Sequence, residues 1–329
     1  MEFHPILPRF LRPSVYQGKR KAKNYFEGWY FKLVDPRGEN IWSIIPGVSY
    51  SEDSHCFIQV IHANSGNTSY HRYPLDQFSF KRDRFQVGVG DSIFSSNEIS
   101  LQIDSPELHI SGSLDLKEAR RFPSSLRAPG IMGWYSYAPF MECYHGVVSM
   151  QHQLEGSLQI NGTSTSFDGG KGYIEKDWGR SMPSDWIWMQ SNHFEKSGET
   201  SFMISLARIP WLNGFFPGFL SFLLLDEKVY RFATYNRSRI SHVEIRDDVV
   251  SFSVSNRRYQ LNVKAWRKES GILKAPRHGN MDRDIQESVV SSLELELRDA
   301  KGALIYQDRG RFAGLEIVGN VARYFQDID

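Results

Sequence analysis

The sequence predicts an all-β chain built from two successive antiparallel meanders. Three observations predict it. Period-two alternation of apolar and polar residues recurs along most of the 329 residues. Turn chemistry punctuates that alternation at short intervals. Aromatic residues are abundant: 22 Phe, 15 Tyr and 8 Trp make 14% of the chain, and bulky flat side chains suit sheets and apolar pockets. The length favours two domains, because one core seldom serves so many residues.

Taken in order, residues 1–22 read as an N-terminal arm. It carries the basic run Lys19-Arg20-Lys21-Ala22-Lys23, a solvated segment rather than a nucleic-acid patch. A first β domain is expected over 23–165. Strands at 28–32, 41–48, 57–62 and 70–73 are separated by turns such as Asp35-Pro36-Arg37-Gly38. Alternating strands follow, one of them with Ile99, Leu101 and Ile103 inward and Ser100 and Gln102 outward. A second β domain is expected over 166–329. Its segments at 185–189, 202–209, 219–225 and 230–235 echo the first block, and Val250-Phe252-Val254 and Leu293-Leu295-Leu297 alternate as strands do. Eight or so strands close a small barrel able to hold one ligand. Helical periodicity is scarce, with a turn at 117–121 and a short helix at 321–326 as candidates.

Composition excludes some functions. The net charge is +1, from 39 basic and 38 acidic residues, so no field of one sign steers the chain to nucleic acid. Only Cys56 and Cys143 occur, which fits a reducing compartment and a cytoplasmic location. The first residues lack a basic segment followed by an apolar one, so no signal peptide is expected. The apolar stretch 215–225 is too short to span a bilayer; residues 211–225 read as a core strand and loop, with transient membrane contact as the alternative. No Cys/His spacing resembles a metal site, and no phosphate loop, GxGxxG or GxSxG is present. Neither metal nor cofactor is therefore expected.

Chemistry concentrates in three places. The densest is Gly172-Tyr173-Ile174-Glu175-Lys176-Asp177-Trp178-Gly179, followed by Pro183 and the run Trp186-Ile187-Trp188-Met189-Gln190-Ser191-Asn192. An extended backbone puts Glu175 and Asp177 on one face, with Lys176 and Trp178 on the other. Paired carboxylates raise one pKa and can leave a proton donor near neutral pH. The structural alternative is a solvated turn or a salt-bridged corner. Trp186, Trp188, Gln190 and Asn192 alternate onto one side, a wall that is apolar at one end and hydrogen-bonding at the other. The second place is Asn24-Tyr25-Phe26-Glu27-Gly28-Trp29-Tyr30-Phe31. A carboxylate there is either ion-paired or neutral with a raised pKa. The third, Gly133-Trp134-Tyr135, suits the mouth of a pocket.

These segments resemble the tocopherol cyclase family. Residues 24–31 are similar to its F-E-G-W-Y-F signature. Glu175 to Gly179, then Pro183, Trp186, Trp188, Gln190, Asn192 and Phe194, resemble its E-K-N/D-W-G…P…W-x-W-x-Q-x-N-x-F stretch. Leu273-Lys274-Ala275-Pro276 is similar to a later L-x-A-P element. The resemblance implies two tandem lipocalin-like antiparallel β-barrel or sandwich domains, a fold akin to carotenoid hydratases and some fungal pericyclases. It also implies cofactor-free, acid-catalysed cyclisation of a prenylated hydroquinone or related isoprenoid, in an apolar pocket between the domains. An acid protonates a prenyl double bond and the phenol oxygen closes a ring on the cation. Glu175, Asp177 and Glu27 are then the candidate acids. Trp29, Trp134, Tyr135, Trp178, Trp186, Trp188, Gln190 and Asn192 are the candidate substrate contacts, with indole faces to stabilise the cation. Plant members carry longer insertions in the first half, and Asn where this chain has Asp177. A carrier that binds an isoprenoid without chemistry, and a hydratase, need the same kind of pocket.

Overall fold

The computed structural model describes residues 12–18, 23–63, 66–139, 141–196, 198–211 and 213–325. It is all-β, and two curled antiparallel sheets account for its regular structure.

The first sheet is built from β1 (Tyr25–Val34), β2 (Ile41–Tyr50), β3 (His55–His62), β4 (Asn67–Tyr73), β5 (Phe78–Phe80), β6 (Gln86–Val89), β7 (Ser92–Ser95), β8 (Glu98–Asp104), β9 (His109–Arg120), β10 (Cys143–Ile160), β11 (Thr163–Ser166) and β12 (Gly170–Gly179). Its order is β4-β3-β2-β1-β12-β10-β9-β8-β7-β6-β5, with β11 hairpinned onto β10. The strand before the loop to the second half thus returns to lie beside the first. Side chains pointing to one face form a single core that includes Trp29, Phe31, Ile44, Ile58, Phe94, Leu101, Leu114 and Ile174. The expected alternation holds in β8, where Ile99, Leu101 and Ile103 are at most 2% exposed.

The second sheet contains β13 (Trp186–Ser191), β14 (His193–Phe194), β15 (Thr200–Trp211), β16 (Gly214–Leu225), β17 (Lys228–Ala233), β18 (Arg239–Arg246), β19 (Val249–Ser255), β20 (Tyr259–Trp266), β21 (Gly271–Arg277), β22 (Asn280–Asp299) and β23 (Leu304–Val318). Its order is β17-β16-β15-β13-β23-β22-β20-β19-β18. That path repeats the first: a four-strand meander, the last strand beside the first, then successive neighbours outward. Ile187, Met189, Phe252, Val254, Leu293, Leu295 and Leu297 share its core.

Two details differ from the sequence reading. Residues 117–120 are the end of strand β9, not a helical turn, because Lys117 and Arg120 pair with Gln153 and Gln151 of β10. The C-terminal helix shortens to a single 3-10 turn, Val321–Tyr324, and Gln326 lies outside the described residues. The domain boundary also moves. β12, assigned to the second domain from sequence, is a central strand of the first sheet. One compact unit comprises residues 1–62, 68–182 and 274–283; the other takes 63–67, 183–273 and 284–329. The expected arm lies largely outside the described residues. Its described part, residues 12–18, packs on the first core: Tyr16 is 2% exposed, its ring lies against Phe78 and Phe80, and its hydroxyl donates to Tyr50 Oη at 3.0 Å.

Candidate active site

β12 divides its side chains as a pleated strand must. Ile174 joins the first core, while Tyr173, Glu175 and Asp177 point away from it. Register sets their neighbours. β1 places Tyr30 opposite Glu175, and β10 places His145 opposite Asp177. Glu175 is only 4% exposed and Tyr173 is fully buried. The Tyr173 hydroxyl donates to Glu175 Oε2 at 2.7 Å. His145 bridges the two carboxyl groups, with Nδ1 2.9 Å from Asp177 Oδ1 and Nε2 3.5 Å from Glu175 Oε2. The Cys143 thiol lies 3.8 Å from the same Asp177 oxygen. Burial, reinforced by Glu175, pushes the Tyr173 phenol well above its ordinary pKa. Burial and then the Asp177 and Glu142 charges do the same to Cys143. Both therefore act as neutral hydrogen-bond donors near neutral pH. The set Tyr173–Glu175–His145–Asp177 is a contiguous path, buried at Tyr173 and Glu175 and half-buried at His145 and Asp177, along which a proton can move.

Gly179 ends this strand. Its φ is +152°, and a Cβ there would stand 2.2 Å from the Glu142 carbonyl oxygen, so only glycine allows that approach. The close contact lets Arg180 N–H reach Glu142 O at 2.7 Å. The later L-x-A-P element serves the same corner: Met182 N–H donates to Pro276 O at 3.1 Å, within the first unit.

On the core side of β12 the chemistry is different. Lys176 and Glu27 are both fully buried and form an ion pair at 2.5 Å. Glu27 also accepts from Gln17 N–H, Gly18 N–H and the Tyr25 hydroxyl. Lys176 Nζ donates to Pro13 O and Val15 O, and it sits 4.9 and 4.6 Å from the Trp29 and Trp178 ring centroids. This places Glu27, Trp29 and Trp178 away from the Glu175 face. Glu27 is paired with Lys176, and together they fasten residues 13–18. Trp178 lies on the face opposite Glu175 and Asp177, as alternation along the strand expects, and Trp29 lies on that same opposite face, since Trp29 pairs with Lys176 and Trp178 with Glu27. Trp29 donates its indole N–H to Ser14 O at 3.0 Å, and Trp178 stacks on Tyr144 at 5.6 Å. Their π faces serve a buried ammonium.

In the second unit, Ile187 and Met189 join the core while Trp186, Trp188 and Gln190 take the other face of β13. All three are buried. Asn192, also buried, follows the end of that strand. β23 sets Glu316 opposite Trp188, and Trp186 Nε1–H donates to Glu316 Oε2 at 2.5 Å. The repeated topology makes β1 and β12 the counterparts of β13 and β23. Tyr30↔Glu175 and Trp188↔Glu316 are pairs on these corresponding strands, each directing a glutamate away from its own core. The sequence reading missed Glu316. Its signal was the internal repeat, extended to the last strand of each half. Trp134 and Tyr135 lie on the surface turn Gly133–Tyr137, with Trp134 53% exposed.

No metal set was legible from spacing. The fold nevertheless brings one ligand atom each of His145, Glu175 and Asp177 within 4.8 Å of one another.

A family model described as tocopherol cyclase-like matches residues 116–319, well over half of the chain. This chain belongs to the tocopherol cyclase-like family. The matched region holds β10, β12 and β23, and so His145, Glu175, Asp177 and Glu316. A chloroplastic tocopherol cyclase of Zea mays is 23% identical over 197 residues. That match covers 57% of this chain and 41% of the maize protein, so this family member meets its curated relative over less than half of the relative's length. Among solved structures, CghA with Sch210972 aligns at a TM-score of 0.55 and 12% identity, over 89% of this chain and 88% of that one. An AttH-type protein from Nitrosomonas europaea aligns at 0.53 and 14% identity, over 92% and 98%. These two likenesses bear out the tandem fold of this tocopherol cyclase-like chain. Among the described residues no helix is long and apolar enough to cross a membrane.

Proposed function

We propose that this family member is an enzyme that modifies an isoprenoid, by proton-initiated ring closure of a prenylated hydroquinone with Glu175 as the acid. The observation that carries the reading is the buried Glu175 carboxyl, held by Tyr173 and facing a histidine anchored by Asp177. In this reading Asp177 accepts the His145 Nδ1 proton, which leaves Nε2 as the acceptor for Glu175. Glu175 gives its proton to the CH carbon of the ring-proximal prenyl double bond, and the phenol oxygen attacks the tertiary cation left on the neighbouring carbon. The phenolic proton then returns to the carboxylate, directly or through His145. No proton is gained or lost overall, so the reaction is an isomerisation. The 3.5 Å gap between His145 and Glu175 is of the kind that closes in a substrate complex. The family match and the maize relative's name support the substrate class.

The test is incubation of the purified chain with a prenylated hydroquinone. The chromanol has the mass of its precursor, so retention and fragmentation identify it. Glu175→Gln is expected to lower kcat by about 10²–10⁴. Turnover within a few-fold of wild type in that variant would remove Glu175 and make Glu316 the next acid to substitute. A product heavier by one water would mark hydration instead. Tight binding without any product would mark a carrier.

A further inference from the structure

The connection between β9 and β10 is not absorbed by this chemistry. It is a folded loop with a dry inside and a greasy outside. Phe122, Ile131 and Met132 are buried, whereas Leu126, Trp134 and Tyr137 are 72%, 53% and 45% exposed. Its own hydrogen bonds hold it. Ser136 Oγ donates to Pro129 O at 2.9 Å, Gly130 N–H donates to Ser124 Oγ at 3.2 Å, and the Tyr137 hydroxyl reaches Leu126 O. Trp134 and Tyr135 meet edge to face at 4.4 Å. Three apolar or aromatic side chains are therefore presented to water by a loop that has a shape of its own.

Charge adds a second, independent observation. No Asp or Glu occurs between Glu118 and Glu142, while Arg120, Arg121 and Arg127 do, and all three are exposed. The whole chain is almost neutral, so this is a local cationic field. Arginine beside exposed Trp, Tyr and Leu suits the boundary between anionic headgroups and hydrocarbon. There the indole and phenol are wet at one end, and the guanidinium finds phosphate. A protein partner would be expected to meet a groove or a flat patch. Here the apolar groups crown a turn and suit insertion.

We infer that this loop docks the first unit onto an anionic lipid surface. The loop leads straight into the candidate site. Met132 Sδ accepts from His145 N–H at 3.1 Å, and Tyr144 Oη–H donates to Ala138 O at 2.8 Å. A prenylated quinol dissolves in bilayers, so docking here delivers substrate beside His145. That second clause rests on the proposed function; the docking itself does not.

The test is flotation of the purified chain with vesicles of phosphatidylcholine alone and of phosphatidylcholine mixed with phosphatidylserine. Binding is expected to the anionic vesicles and to fall as salt rises. Each arginine near such a surface contributes about fivefold in affinity, so Arg121→Gln with Arg127→Gln is expected to weaken binding roughly 25-fold. Leu126→Glu and Trp134→Glu are expected to abolish flotation while circular dichroism stays that of the wild type. No flotation with either composition, or flotation that these variants leave unchanged, would overturn the inference, as would binding through this loop to a protein in place of lipid. Turnover of a short-chain, water-soluble quinol separates the two claims. Leu126→Glu keeps that turnover if the chemistry stands, whatever becomes of docking.

Discussion

Replacing Lys176 by methionine removes the cation from the best-buried ion pair in the first unit. The structure sets the magnitude. Both partners are fully buried, and Lys176 Nζ has acceptors at 2.5, 2.7 and 2.8 Å. Methionine keeps most of the volume but leaves the Glu27 charge, among the described residues, with backbone N–H groups and the Tyr25 hydroxyl. Breaking a buried pair in this way costs about 3–5 kcal/mol, a fall of roughly 5–15 °C in the unfolding midpoint. Denaturant unfolding measures it, and Glu27→Gln combined with Lys176→Met is expected to recover much of the loss, because no charge then remains buried. The pH dependence is a second readout. Burial lowers the Lys176 pKa to about 8, against the ordinary 10.5, with Glu27 opposing the shift. Between those values the unfolded chain binds the extra proton, so stability rises with pH through that window, and Lys176→Met is expected to lose the rise. A single variant that unfolds within about 1 kcal/mol of wild type would refute the reasoning, since the pair would then be replaceable by packing alone.

Two further outcomes follow from groups around β12. His152 is buried with Nδ1 3.0 Å from Ser149 Oγ, and burial lowers its pKa to about 3. The unfolded chain takes up that proton below the ordinary 6.5, so the histidine's contribution is lost as pH falls from 6.5 toward 3. His152→Leu is expected to flatten denaturant stability between neutral pH and about pH 4.5; an unchanged slope counts against it. Zinc added to the purified chain is expected to occupy His145, Glu175 and Asp177 and to inhibit turnover, with recovery on chelation. Competition with a coloured chelator reads the binding directly, and equal affinity in His145→Ala would place the ion elsewhere.

Much of the fold was legible because it depends on period two. Ile99, Leu101 and Ile103, and again Leu293, Leu295 and Leu297, are buried where alternation put them. The same rule separated Glu175 and Asp177 from Lys176 and Trp178. Within β1 the same rule groups Glu27, Trp29 and Phe31, and register then sets Trp29 beside Lys176. Residues 117–121 misled because short charged segments carry no period, and only pairing with β10 defines them. The partners in the site were hidden for another reason. His145 lies 32 residues from Asp177, and Lys176 lies far from Glu27 in sequence. Strand register joins them, and no local pattern encodes register between distant strands. Glu316 was within reach, because the echo noted between the first four strands of each half continues to the strand that closes each sheet.

The anchoring of residues 13–18 bears on how the protein can be handled. A clone trimmed to begin near Tyr25, where regular structure starts, would discard Pro13 O and Val15 O along with the Gln17 and Gly18 amides. It would also empty the space that Tyr16 fills and strip Ser14 O from the Trp29 indole. Purification tags are better appended upstream of that stretch, and proteases chosen for tag removal should spare it, since its loss takes two carbonyl acceptors from the buried ammonium and two N–H donors from its carboxylate partner.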